Sequence, residues 1–165
     1  MAATGLEKGG IYRHFESKHA LALAAFDRNA VLMAQRFEAA VRPHRHAVDR
    51  LMAVIGVFSA AAKSEPVPGG CPILNTAIEA DDTDPVLCER ANKAMSELRQ
   101  LIITIVRKGQ ERGEVRVSAE PEVVATAMLA MGEGALMLAK LDRDPVHMDR
   151  AVGVLKTYLE SAVRA

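Results

Sequence analysis

Apolar residues recur three and four positions apart along most of this chain, and this spacing constrains its fold more than any other feature of the sequence. In residues 45–63 one apolar stripe consists of Val48, Leu51, Met52, Ile55, Phe58 and Ala62. That period lines up side chains on one face of a helix, where they can pack against a core. The alternation of apolar and polar residues that is typical of strands is scarce. We therefore predict an all-α fold.

Prolines, glycines and capping residues divide the chain into predicted helices. The long helices cover residues 17–41, 45–63, 85–109, 122–141 and 146–163, and a short one begins at Pro72. Proline suits the first position of a helix, because a backbone N–H has no intrahelical partner there. Asp84 precedes Pro85 and is a good N-cap residue. One further helix, of barely two turns, is predicted at residues 7–14.

The composition is that of one ordinary domain, or of a small domain attached to a larger one, in a reducing compartment. The chain has 165 residues with 21 basic and 21 acidic side chains, so its net charge argues neither for nor against a nucleic-acid partner. Two cysteines, far apart in the sequence, favour a cytoplasmic protein over a disulfide framework. We expect no apolar run to be long enough to cross a bilayer, and we expect a cytoplasmic location.

The motifs of common enzymes and metal sites are missing from the sequence. There is no zinc-protease pair, nucleophile elbow or phosphate-binding loop, and Glu16 and His19 form one Glu-x-x-His pair where a di-iron bundle needs two. His44 and His46 have no partner at a spacing that suits a metal, and no regular calcium loop follows Asp81. We expect a protein without catalysis, metal or cofactor.

The first part of the chain, TGLEKGGIYRHFESKHAL, combines a glycine turn with a short cationic helix. Gly9 and Gly10 are poor helix formers, but they let a backbone come close to a neighbour such as a phosphate. The side chains that suit a phosphate are Lys8, Tyr12, Arg13 and Lys18. The alternative is a capped surface hairpin with solvated charges, because Glu7 and Glu16 dilute the basic patch.

This stretch resembles the second half of the helix-turn-helix in tetracycline-repressor-type (TetR family) transcription regulators. The positions that match the family's motif are Gly5, Gly9, Tyr12, Phe15, Lys18 and Leu21. The resemblance implies a partial DNA-binding domain at residues 1–20, with a recognition helix at about 7–14, and a helical ligand-binding and dimerisation domain at 21–165. It assigns to the major groove the residues Lys8, Gly9, Gly10, Arg13 and His14. It assigns to backbone phosphates Tyr12 and Lys18.

The resemblance also bears on what precedes the glycine turn. The family places one full helix and most of a second there, and those helices support the recognition helix. In this sequence only Met1, Ala2 and Ala3 precede Thr4. In a complete member of the family Met1 would therefore be an internal residue, so the sequence is either a fragment of a longer regulator or a protein with an incomplete DNA reader. The alternative is a truncated helical dimerisation or ligand-binding module, which binds no DNA itself and acts through a partner regulator.

The family resemblance implies a repressor that is released by a small-molecule effector, and the segment after Gly70 offers candidate pocket residues. Cys71, Asn75 and Glu79 lie four residues apart, so they project from one helix face. The helix N-terminus favours a thiolate at Cys71, which predicts an effector site or a sensor of oxidants and electrophiles. The apolar candidates for the same pocket are Phe58, Met95 and Met128. The alternative is that Cys71 is a small buried hydrophobe.

Residues 123–138 are apolar around nearly the whole circumference of their predicted helix. A helix buried on all sides needs two partners, and the second is either another subunit or the rest of a monomeric bundle. Gly132 and Gly134 allow another helix to approach closely. We predict a homodimer, the commonest symmetric assembly. Its candidate interface residues are Met128, Gly132, Leu136, Leu155 and Leu159.

Overall fold

The structure is a computed structural model that describes residues 14–63, 70–80 and 83–165, and six α-helices make up most of this part of the chain. The helices are α1 (Lys18–Val41), α2 (Ala47–Lys63), α3 (Pro72–Ala80), α4 (Pro85–Glu111), α5 (Pro121–Asp142) and α6 (Val146–Tyr158). A π-helical turn, Leu159–Val163, extends α6. The described ranges contain no strand, and an isolated bridge joins Val115 to Arg164. The prediction of an all-α fold is confirmed.

Local capping signals set the starts of two long helices. The Ser17 hydroxyl accepts a hydrogen bond from the Ala20 N–H at 3.0 Å, and the Asp84 carboxylate accepts one from the Leu87 N–H at 3.1 Å. Each bond satisfies a backbone donor that has no intrahelical partner in the first turn. The predicted starts of α1 and α4 are therefore confirmed. The predicted helix at 7–14 lies outside the described residues, except for His14.

Helix α2 lies at the centre of the bundle and contacts α1, α4, α5 and α6. Its fully buried side chains include Val48, Leu51, Val54, Ile55 and Phe58. The Phe58 ring packs against Phe37 on α1, with 5.5 Å between the ring centroids. The apolar stripe read from the sequence therefore faces the core, as its spacing predicts.

Helix α5 is long and apolar enough to cross a membrane by length and composition. The expectation that no apolar run reaches this length was therefore wrong. Half of the apolar window of α5 is buried inside the fold, and the helix packs against α2, α4 and α6. Because its apolar surface is used for packing within the bundle, we interpret α5 as a core helix.

The end of the bundle opposite the start of α1 brings together the end of α1, the start of α2, the end of α4 and the chain terminus. Gly109 on α4 lies so close to Ala47 and Val115 that an added Cβ would come within 2.5 and 2.6 Å of their side chains. The Arg164 guanidinium donates a hydrogen bond to the Asp49 carboxylate at 2.8 Å. We call this region the distal end.

Candidate functional site

Two of the residues predicted to contact DNA, His14 and Lys18, lie at or just before the start of α1. Both side chains are exposed, and Lys18 follows the Ser17 cap as the first helical residue. Within the described ranges Lys18 forms no ion pair, so its ammonium group is available to a phosphate. The other predicted contacts lie outside the described residues: Lys8, Gly9, Gly10, Tyr12 and Arg13.

Two ion pairs join the first half of α1 to the first half of α4. His19 Nδ1 lies 3.0 Å from an Asp84 carboxylate oxygen, and the Arg90 guanidinium contacts the Asp27 carboxylate. The histidine pair is an ion pair only when the imidazole is protonated. Because both contacts link the same two helices, a displacement of α4 would act on the end of α1 that carries Lys18.

An apolar cleft of about 270 Å³ lies between α1, α3 and α4. Its lining residues are Ala30, Met33, Ala34, Phe37 and Glu38 from α1, Ile73 from α3, and Ala94, Glu97, Leu98 and Leu101 from α4. The walls are apolar except for two exposed carboxylates, on Glu38 and Glu97. A concave apolar surface with few polar groups is typical of a small-molecule site. We call it the effector cleft.

The structure separates the residues that the sequence suggested for an effector pocket. Three are buried or half-buried in the core: Phe58, Met128 and Met95. Two are exposed on α3: Asn75 and Glu79. None of them lines the effector cleft, and the nearest link is the Phe58 ring, which packs against Phe37 in the cleft wall. Burial therefore separates the apolar candidates from the two polar ones on α3.

Cys71, the remaining predicted pocket residue, is buried beside an acidic side chain of α5. The exposed fractions of Cys71 and Glu133 are 5% and 7%. The thiol donates a hydrogen bond to the carboxyl group of Glu133, whose Oε2 atom is buried with no hydrogen-bond partner among the described residues. Burial raises the pKa of Glu133, and the bond from the thiol only partly offsets this effect.

The expectation of a thiolate at Cys71 was wrong. Burial, together with the nearby Glu133 carboxyl group, raises the pKa of the thiol to about 12, and backbone N–H groups at the start of α3 oppose this shift too weakly to reverse it. A protonated thiol is a poor nucleophile. Glu133 itself was missed from the sequence, although a single carboxylate inside the apolar run LAMGEGALML is a signal of a buried polar group.

The five residues predicted for a dimer interface are all buried within one chain: Met128, Gly132, Leu136, Leu155 and Leu159. Gly132 accommodates a ring of its own chain, because an added Cβ would lie 2.9 Å from Cδ2 of Phe58. Other apolar side chains of α5 and α6 stay exposed: Val123, Met137, Leu138, Leu141 and Val154. The exposed apolar residues of these two helices are therefore neighbours of the predicted residues and not the predicted residues themselves.

Comparisons with known proteins agree with this architecture. Residues 47–155 match the family model described as "Tetracyclin repressor-like, C-terminal domain". The chain is 25% identical over 159 residues to the "HTH-type transcriptional repressor DhaR" of Mycobacterium sp. (strain GP1), which covers 93% of this chain and 76% of that protein.

Two solved structures are more similar in sequence. A TetR transcriptional regulator from Chloroflexus aurantiacus J-10-FL has a TM-score of 0.93 and 48% identity, covering 99% of this chain and 83% of that one. A TetR-family regulator from Cytophaga hutchinsonii has a TM-score of 0.86 and 32% identity, covering 99% and 82%. The similarity therefore extends over nearly all of the 165 residues, beyond the short motif at the start of the chain.

Proposed function

Because the chain belongs to the TetR family of transcriptional regulators, we propose that it is a cytoplasmic repressor that binds operator DNA as a homodimer and releases it when a small molecule enters the effector cleft. The family match and the similarity to a protein named as a repressor support regulation of transcription. The clefts and surfaces described above then suggest which parts of the chain perform each task.

The observation that carries this proposal is the path of α1. This helix has 24 residues, so it spans about 36 Å. Its first residue, Lys18, follows the segment that resembles the DNA reader, and its second half supplies Met33 and Phe37 to the effector cleft. One continuous helix therefore connects the two sites, and a ligand that moves its cleft wall also moves its DNA-facing end.

The lining of the effector cleft favours a compact, largely apolar effector. Met33 is an adaptable apolar side chain, and Phe37, Ile73 and Leu98 offer rigid apolar walls. A ligand wedged between α1 and α4 would push the two helices apart. The ion pairs between His19 and Asp84 and between Arg90 and Asp27 would transmit that displacement to the start of α1.

The exposed apolar residues of α5 are the best surface for a second subunit. Gly134, Met137, Leu138 and Leu141 follow a spacing of three and four residues, so they share one helix face. An added Cβ on Gly134 would meet nothing within 4 Å, which leaves room for a partner helix to approach. We infer that this face forms the homodimer interface.

Selection of operator sequences from random duplex DNA, followed by fluorescence anisotropy on the full chain, tests this function. We expect a pseudo-palindromic site. Lys18→Ala should weaken binding about threefold to tenfold on every sequence and should lower the slope of log affinity against log salt by about one, because one phosphate contact is lost.

The matched control is Lys156→Ala, which removes an exposed lysine on α6 and should leave the affinity unchanged. A chain that forms a dimer but selects no DNA sequence would contradict the proposal. That result would favour the alternative module, which acts through a partner regulator.

A further inference from the structure

A second, open cleft of about 710 Å³ lies at the distal end, where α1 ends, α2 begins and α4 ends. Its charged lining residues include four arginines, Arg42, Arg45, Arg50 and Arg112, and two glutamates, Glu38 and Glu114. Four positive charges against two negative ones leave an excess of two positive charges. A concave surface with this excess attracts anions.

One of the two carboxylates in this distal cleft is already occupied by partners from the chain. Glu114 accepts hydrogen bonds from the Ala47 N–H at 2.7 Å and from the Arg112 guanidinium at 3.0 Å. These bonds hold the pKa of Glu114 below its usual range, and the bond from the Ala47 N–H has the largest effect. The carboxyl group is therefore ionised and paired at neutral pH. Arg112 and Glu114 therefore offset each other.

The other three arginines are not neutralised. Across residues 14–63, 70–80 and 83–165, Arg42, Arg45 and Arg50 make no ion pair with a carboxylate. The Nε atom of Arg50 is buried and has no hydrogen-bond partner within the same ranges. A buried donor without an acceptor is rare in folded proteins. An oxygen atom of a bound anion would supply the acceptor that Arg50 lacks.

The rest of the lining indicates what kind of anion fits. Val41 and Leu101 contribute apolar surface to the same cleft, so the site offers contacts to a hydrocarbon body as well as to a charge. Guanidinium groups bind carboxylates and phosphates through paired, charge-assisted hydrogen bonds. We propose that the distal cleft binds a small organic oxyanion, a carboxylate or phosphate ester on an apolar body, as a second ligand besides the effector.

Isothermal titration calorimetry on the full chain tests this proposal with octanoate and octyl phosphate, each below its micelle concentration. At least one of these two anions should bind about tenfold more tightly than inorganic phosphate, which lacks the apolar body. The same anion should bind about tenfold more tightly than octyltrimethylammonium, which carries the opposite charge. Comparison of the two octyl anions shows whether the site prefers a carboxylate or a phosphate.

Variants locate the binding. Arg45→Gln and Arg50→Gln should each weaken binding of the preferred anion about tenfold, since each removes charge-assisted hydrogen bonds. Arg28→Gln removes an exposed arginine of α1 that lies outside this cleft and has no ion pair among the described residues; it is the matched control and should change nothing. Ala34→Trp fills the effector cleft, and it should leave anion binding intact although the two clefts share Glu38 and Leu101.

Three results would overturn the proposal. The first is that neither octyl anion binds. The second is that Arg28→Gln weakens binding as much as the cleft variants do, which would indicate only a general effect of charge. The third is that Ala34→Trp abolishes binding while the arginine variants do not, which would place the anion in the effector cleft. If Arg50→Gln fails to fold, the exposed Arg45 still carries the test.

Discussion

At the scale of single residues, Glu133 shows what burial does to an ionisable group. Its carboxyl group lies in the apolar interior, and the Cys71 thiol satisfies only one of its two oxygens among the described residues. Burial raises its pKa above the ordinary value of 4.5. As the pH rises past 4.5, the unfolded chain therefore releases this proton before the folded one does. Above that pH the buried carboxyl group of Glu133 lowers the free energy of unfolding, and this loss grows until the pH passes the pKa of Glu133 in the folded state.

We expect Glu133→Gln to be more stable than the parent at pH 8, by about 1–3 kcal/mol, because it removes a buried carboxyl group that resists ionisation. At pH 4 both states of the parent keep the proton, so the gain should nearly vanish. Urea unfolding at several pH values measures the difference. Glu89→Gln, at an exposed position of α4 with no ion pair in the part of the chain that the structure describes, is the control and should show no such trend. A gain that does not change with pH would contradict this assignment.

At the scale of one element, α5 uses its two sides differently. Its inner side carries Gly132, which lets the Phe58 ring of α2 lie against the helix backbone. Its outer side carries the exposed stripe that includes Met137 and Leu141. A helix with apolar residues on both sides is expected where one side belongs to the chain's core and the other to an interface.

The glycines of the bundle allow a test of the inner side. Gly132→Ala should destabilise the fold by about 1–3 kcal/mol, because the new methyl group would sit 2.9 Å from the Phe58 ring in a packed core. Gly56→Ala is the matched control: it lies in α2, and an added Cβ there meets nothing within 4 Å. This control should gain about 0.5–1 kcal/mol from helix propensity. Thermal and urea unfolding measure the change in unfolding free energy of each variant. Equal changes for Gly132→Ala and Gly56→Ala would refute the packing argument.

At the scale of the whole molecule, the exposed apolar face of α5 is the surface that we propose for the second subunit. Leu141 is 72% exposed on this face. If the face forms the homodimer interface, Leu141→Glu should weaken dimerisation at least about tenfold, because a carboxylate would be buried without a partner. Sedimentation equilibrium measures the dissociation constant.

Ile78→Glu is the control for this change. Ile78 is 67% exposed on α3, and α3 packs chiefly against α1 and α4. The Ile78→Glu variant should dimerise like the parent. Unchanged dimerisation of Leu141→Glu would place the interface on another face of the molecule.

The helical architecture and most helix ends can be predicted from the order of residues alone. Periodicity and capping act over a few neighbouring residues, so the stripe around Leu51 and the Ser17 cap could be read without knowing the fold. The motif around Lys18 likewise identified the family, since it is a short run of neighbouring residues. These features depend on local geometry, which the chain order already contains.

Which side of each helix is left for a ligand or a partner depends on how the helices pack together. Cys71, Asn75 and Glu79 share helical spacing, yet Cys71 is buried against Glu133 while the other two are exposed. The effector cleft and the distal cleft each combine residues from three helices, and in each cleft some of these residues are more than 50 positions apart in the chain. The burial and the electrostatic environment of a side chain are sums over neighbours from several elements. The pKa of a thiol or the exposure of a leucine therefore follows from packing and cannot be predicted from one helix.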